Sequence, residues 1–209
     1  MAFVAFDLDG TLFDSVGMTV QAARAVLDEA GVTAEDDAIR RWIGRPIEEF
    51  TTWLAEQVPE RLADRVAEEF HRHERELMAA EAALYPGVED MLDQVREVAD
   101  DLVLYSNGRR GYVDAVLDQT GIRHRFDLVR PRRDHEVGKD PVVADLVHRL
   151  GDAGLLVGDR RDDVEAAHAH RLLVIGTAYG YGDSGELADA DRTADRPEDV
   201  PPLVRDLLS

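Results

Sequence analysis

Short apolar runs that end in polar residues recur along this chain, with helical spacing between them. Residues 2–7, Ala-Phe-Val-Ala-Phe-Asp, form such a run. They predict a buried parallel strand whose C-terminal end carries function. Leu102-Val103-Leu104-Tyr105 is a second run and ends at Ser106-Asn107-Gly108. Phe126-Asp127-Leu128-Val129 is a weaker third. Leu155-Leu156-Val157 leads to Gly158-Asp159, and Leu172-Leu173-Val174-Ile175 leads to Gly176-Thr177. Between them, Val88, Met91, Leu92 and Val95 fall at helical spacing, and residues 112–117, 142–150 and 164–169 repeat the pattern. Strands alternating with helices predict an α/β fold, a doubly wound parallel sheet covered on both faces.

Residues 16–83 break the alternation. They predict helices over 18–29, 35–43, 47–57 and 60–78 and no strand, with Gly31, Gly44 and Pro59 as punctuation. Tyr85-Pro86-Gly87 marks a turn before the alternation resumes. The expected organisation is a core of residues 1–15 and 84–209, with 16–83 as a helical insertion. Asp14-Ser15 reads as a helix N-cap entering it. Trp42 and Trp53 read as its core. Residues 188–199 read as an acidic loop, and 203–208 as a short closing helix.

Composition narrows the options. No cysteine is present, which excludes disulfides, thiolate metal sites and cysteine nucleophiles. The formal charge of −20 disfavours nucleic acid as a partner. No apolar run is long enough to span a membrane, and no signal-peptide pattern opens the chain, so a soluble cytoplasmic protein is expected. A monomer or a homodimer fits, since no exposed apolar stripe stands out. Basic residues are 23 arginines and one lysine, Lys139. An acidic, lysine-poor surface resembles that of halophile proteins, because at molar salt the Debye length falls to about 3 Å.

Sites in open parallel sheets form at the C-terminal strand ends. Gathered there, Asp7, Asp9, Asp159 and Asp163 would repel one another unless a cation were present. Hard oxygen ligands suit Mg²⁺, which keeps several waters and bridges to phosphate. Lys139 adds the opposing charge, and Ser106 with backbone N–H groups can hold phosphate oxygens. These are parts for phosphoryl transfer, where positioning and charge neutralisation dominate. Gly10 lets the backbone approach a ligand closely. Histidines two apart, His71 with His73 and His168 with His170, do not share a helix face and are not expected to hold metal.

Asp7-Leu8-Asp9-Gly10-Thr11, Ser106, Lys139 and Gly158-Asp159-Arg160-Arg161-Asp162-Asp163 resemble, in order, the four motifs of the haloacid dehalogenase superfamily. That resemblance implies a Rossmann-like core with an inserted helical cap. It implies Asp7 as nucleophile forming an aspartyl-phosphate and Asp9 as general acid and base. It implies Ser106 and Asn107 on phosphoryl oxygens, with Gly10 and Thr11 beside them, and Lys139 neutralising Asp7 and the phosphate. Asp7, the Asp9 carbonyl and Asp159 would hold Mg²⁺, and Asp163 would be a further ligand or hold the metal's waters. The founding dehalogenases lack an acid at the position of Asp9, so phosphate-ester hydrolysis is favoured.

Asp9-Gly10-Thr11-Leu12-Phe13-Asp14-Ser15 and the small cap are most similar to the phosphoglycolate phosphatases of that superfamily. The expected partner is a small phosphorylated metabolite. Gly44-Arg45-Pro46 resembles their substrate-facing loop, which makes Arg45 a candidate for a substrate carboxylate or second phosphate. The bland alternative is an exposed arginine before a helix start. Asp140 stands where many relatives carry proline, and its charge could weaken Lys139. Arg160 and Arg161 would pair with Asp162 or with acids of the cap. A phosphomutase, pyrophosphatase or nucleotidase of the same superfamily is the alternative, and a receiver-type phospho-acceptor a remote one.

Overall fold

The computed structural model of the chain describes residues 2–42, 47–183 and 185–209. In chain order the elements begin with strand β1 (Phe3–Asp7) and helices α1 (Val16–Glu29), α2 (Asp36–Arg40), α3 (Ile47–Gln57) and α4 (Glu60–Glu81). There follow α5 (Val88–Arg96), β2 (Asp101–Arg109), α6 (Arg110–Thr120), β3 (Leu128–Arg132) and α7 (Asp140–Leu150). The chain closes with β4 (Gly154–Gly158), α8 (Arg161–Ala169), β5 (Leu173–Thr177), β6 (Arg192–Ala194) and α9 (Val200–Leu208). Two compact units result, Met1–Asp14 with Leu84–Ser209, and Ser15–Ala83.

In the first unit, six parallel strands form one sheet in the order β3-β2-β1-β4-β5-β6. The chain moves outward from β1 to β3, then crosses back to β4 and runs the other way. The switch point lies between β1 and β4, where doubly wound sheets open a crevice at their C-terminal ends. All five residues of β1 are buried, as helices on both faces require. Phe3 and Ala5 pack with Val103, Tyr105, Val142, Leu146 and Val164 in one core. Each fully buried side chain of Phe or Leu size contributes about 1.5–3 kcal/mol. Side chains alternate along a strand, so Asp7 shares the face of Phe3 and Ala5, the one covered by α7 and α8.

Several boundaries differ from the sequence reading. The third strand covers Leu128–Arg132, displaced from the expected 126–129. Arg130 and Arg132 interrupt the apolar pattern yet are buried, because acids and carbonyls elsewhere satisfy their guanidiniums. Pro131 is accommodated because β3 is an edge strand. β2 continues to Arg109 with a register shift between Ser106 and Arg109. The stretch expected to be loop contains β6, three residues with only Ala194 buried, too short and polar to show periodicity. The closing helix starts earlier, at Val200.

The second unit is helical. On α4, Val66, Phe70, Glu74 and Met78 recur at every fourth position and are buried. Phe50 of α3 meets Phe70 edge-on at 5.1 Å. Trp42 and Trp53 are half-buried and stack on each other at 5.7 Å, flanking that core instead of filling it. Glu29 on α1 accepts from Arg72 at 3.4 Å, and His73 Nε2 lies 3.1 Å from the same oxygen, tying α1 to α4. Ser15 occupies the N-cap position of α1 but makes no side-chain capping bond, so the expected cap is a cap by position only. Helix α2 ends at Arg40, short of the expected 43. Among the described residues, no helix is long and apolar enough to cross a membrane.

Candidate active site

The site is assembled from three elements that meet at the switch point. β1 delivers Asp7 at its last residue. β4 ends at Gly158, and Asp159 follows before α8 starts at Arg161. Lys139 is the N-cap residue of α7, turned in by Gly138 and followed by Pro141 in the first helical turn. On this face the Lys139 ammonium lies 2.8 Å from Asp7 Oδ2 and also contacts Asp163 Oδ1. Asp7, Asp159 and Asp163 each offer an oxygen within 4.8 Å of the others, and all three are buried.

Asp163 is held by its surroundings. Its Oδ1 accepts from Tyr105 Oη at 2.6 Å as well as from Lys139. Its Oδ2 accepts the Arg160 backbone N–H at 3.0 Å, closing the first turn of α8. Asp159 differs. Oδ2 accepts the Tyr181 backbone N–H at 2.7 Å, while Oδ1 is buried and has no hydrogen-bond partner among the described residues. A buried carboxylate oxygen without a donor costs free energy unless a cation meets it. Three buried carboxylates against one ammonium make an oxygen-donor set that fits Mg²⁺.

The ionisation equilibria express the same imbalance. Burial pushes the Asp7 carboxyl well above the usual carboxylate range, against the opposing charge of Lys139. Burial, then the charge of Asp163, pushes Asp159 up to about 7. Burial also raises Asp163, opposed by Lys139. Burial by itself would lower Lys139, but Asp163 and Asp7 outweigh it and hold the ammonium above its ordinary value.

Glycines permit the close packing. Gly10 has φ +81°, and a Cβ there would lie 2.2 Å from Asp159 Oδ2. A Cβ on Gly180 would lie 2.4 Å from the Gly10 carbonyl oxygen. The loop after β5 thus clamps the turn after β1. Tyr179 Oη donates to the Thr11 carbonyl at 2.9 Å, and Tyr181 Oη to the Phe13 carbonyl at 3.1 Å.

The other candidates are placed as follows. Asp9 is half-buried, and its Oδ1 accepts from Tyr112 Oη at 2.5 Å. Ser106 follows Tyr105, which pairs in register with Asp7, and its buried hydroxyl accepts the Gly108 N–H at 2.8 Å. Asn107 donates its amide to Asp162 at 2.9 Å. The Thr11 hydroxyl is buried and lies 3.4 Å from that of Thr177. Arg45, with Gly44 and Pro46, lies outside the described residues. Asp140 turns to His170 at 3.0 Å, and the carboxylates acting on Lys139 are those of Asp163, Asp7, Asp162 and Asp159. Arg160 pairs with Glu186 at 2.9 Å, an acid of the same unit.

Sequence reasoning missed the tyrosines. Tyr105 closes an apolar run and carries a polar tip, which was the available signal. The alternation Tyr179-Gly180-Tyr181-Gly182 just beyond a strand end was another. Nothing local marks Tyr112 as a partner of Asp9.

A doubly wound sheet with a buried acidic centre at its switch point defines an α/β enzyme built around carboxylates. Residues 4–177 match the family of haloacid dehalogenase-like hydrolases. A phosphoglycolate phosphatase of Synechococcus elongatus is 31% identical over 100% of this chain and 99% of that protein. One from Chromobacterium violaceum is 30% identical over 97% of this chain and 96% of that protein. A haloacid dehalogenase-like family hydrolase from Streptococcus pneumoniae shares the fold, with a TM-score of 0.83 at 21% identity over 96% and 97% of the two chains. The chain belongs to the haloacid dehalogenase-like hydrolase family, and it is a phosphatase.

Proposed function

We propose that this enzyme hydrolyses a small phosphate monoester through an aspartyl-phosphate on Asp7. The observation that carries the reading is the Asp7 carboxylate held 2.8 Å from the chain's single lysine, beside an Asp159 oxygen without a donor among the described residues. Asp7 attacks phosphorus as the ester oxygen leaves, and Asp9 gives that oxygen its proton. Asp9 then takes a proton from water, which attacks the aspartyl-phosphate and releases inorganic phosphate and free Asp7. Tyr112, donating to Asp9 Oδ1, aims that carboxyl. Lys139 offsets charge on Asp7 and on the transferring phosphoryl group, with Asp163 and Tyr105 fixing its position.

Mg²⁺, held by Asp7, Asp159 and the Asp9 carbonyl, would supply positive charge at the phosphoryl oxygens. Both oxygens of Asp163 already accept protein donors, so in this reading it serves by orienting Lys139. Ser106 and the Asn107 backbone bind phosphoryl oxygens, beside Gly10 and Thr11. Residues 16–83 act as the cap that selects substrate, and Arg45 is its candidate for a carboxylate. The relatives named phosphoglycolate phosphatase point to a phosphorylated small carboxylic acid.

The test is turnover of para-nitrophenyl phosphate and of a panel of phosphorylated acids with Mg²⁺. Asp7→Asn should lower kcat by on the order of 10⁴ or more while the fold is kept. Substantial turnover by that variant would sink the mechanism. Arg45→Ala should raise KM for carboxylated substrates and leave para-nitrophenyl phosphate unchanged.

A further inference from the structure

Charge is also gathered at the open edge of the sheet, among residues the proposed reaction does not use. Beside edge strand β3 lies a groove of about 380 Å³. Arg110, Arg130, Arg132, Arg133 and Arg149 line it, with Asp134 as the lining acid. The chain as a whole carries 44 acidic and 24 basic residues, so this lining reverses its balance.

Carboxylates outside the lining set the guanidiniums in place. Arg130 donates to Glu136 at 2.6 Å and to Asp145 at 2.7 Å. Arg133 reaches the same two acids at 3.4 Å, and Arg149 reaches Asp145 at 3.0 Å. Arg130, Arg133 and Arg149 share two carboxylates, and Arg110 lies 3.6 Å from Asp114, so with Asp134 counted the five lining guanidiniums still outnumber the four carboxylates near them. Arg130 is 4% exposed and fixed, whereas Arg133 and Arg149 are half-exposed. Planar guanidiniums held in advance match oxyanions bidentately and lose little freedom on binding.

We infer that this groove binds a small oxyanion of the phosphate type. Among the described residues, none of the proposed catalytic groups lines the groove.

Inorganic phosphate is the probe, titrated calorimetrically into the full chain at constant ionic strength with EDTA present. EDTA leaves the buried carboxylates of the acidic centre without a divalent cation, which disfavours phosphate there. Wild type should bind phosphate saturably at one site per chain. The double variant Arg133→Ala/Arg149→Ala should bind at least about tenfold more weakly, as expected for loss of charge-assisted hydrogen bonds, with its Mg²⁺-dependent turnover retained. Should the double variant fail to fold, Arg110→Gln on the same groove gives the same readout. The inference is overturned if wild type shows no saturable binding, which would leave the arginines as a charged guard on an edge strand. It is equally overturned if a folded groove variant binds as wild type does.

Discussion

Two charge clusters in this protein each set carboxylates around a buried cation and end in opposite states. At the β3 edge, Arg130 sits between Glu136 and Asp145. Burial pushes both acids up, but hydrogen bonds from Arg130, and for Glu136 from the Arg133 backbone, outweigh it and hold them below their ordinary values. At the switch point, Lys139 cannot offset Asp7, Asp159 and Asp163 together, and the carboxyls stay raised. In the first cluster both acids are satisfied within the folded chain, and the surplus positive charge falls on the exposed Arg133 and Arg149. The second is short of positive charge, as a centre for a cation and a phosphate must be. Charge type alone does not separate structure from function; the balance reached among buried partners does.

Breaking the deficient cluster at its ammonium should have a large effect, second only to that of Asp7→Asn. Lys139→Ala is expected to lower kcat on the order of 10²- to 10³-fold, since a preorganised charge on the phosphoryl group is lost. Wild-type kcat in that variant would remove Lys139 from the mechanism.

A stability pair sharpens the contrast. Glu136→Gln should destabilise by about 3 kcal/mol, because it removes one of the two carboxylates paired with the buried Arg130 guanidinium. Asp159→Asn should instead raise Tm in EDTA, because it deletes an uncompensated buried charge, and should abolish the Tm gain on adding Mg²⁺. Chemical and thermal denaturation check both, and equal losses in the two variants would erase the distinction. The pH dependence has a definite sign. A folded-state pKa below the unfolded value means that Glu136 contributes its stability above about pH 4.3, its unfolded value, and loses it as pH falls through the folded pKa. The gap between wild type and Glu136→Gln should therefore shrink in acid.

The smallest effect concerns Tyr112. Tyr112→Phe should cost alkyl phosphates about tenfold in kcat, the weight of one hydrogen bond to a charged group. Para-nitrophenyl phosphate, whose leaving group needs little protonation, should be nearly unaffected. Equal losses on both substrates would mean that Tyr112 does not act through Asp9.

Much of the fold was legible in the sequence because apolar periodicity is local. Of the runs read at 2–7, 102–105, 155–157 and 172–175, every residue but Ala2 and Leu172 lies in a strand. The displaced β3 and the missed β6 fail for one reason. Their burial depends on neighbours distant in sequence and not on their own apolar content. The helical first turns of α6 and α8, which open on Arg110 and on Arg161-Asp162-Asp163, were also missed.

By itself the sequence determined the residue types at the strand ends, the order of the acidic and basic groups, the helical interruption and the single lysine. Only the tertiary structure decided which of these charges are satisfied. Asp163 meets Lys139 across 24 positions and Tyr105 across 58. Asp159 takes one donor from Tyr181 and keeps one oxygen without any among the described residues. A buried charge is stabilised or left in need by the dipoles and ions within a few ångströms, and folding alone brings those groups together.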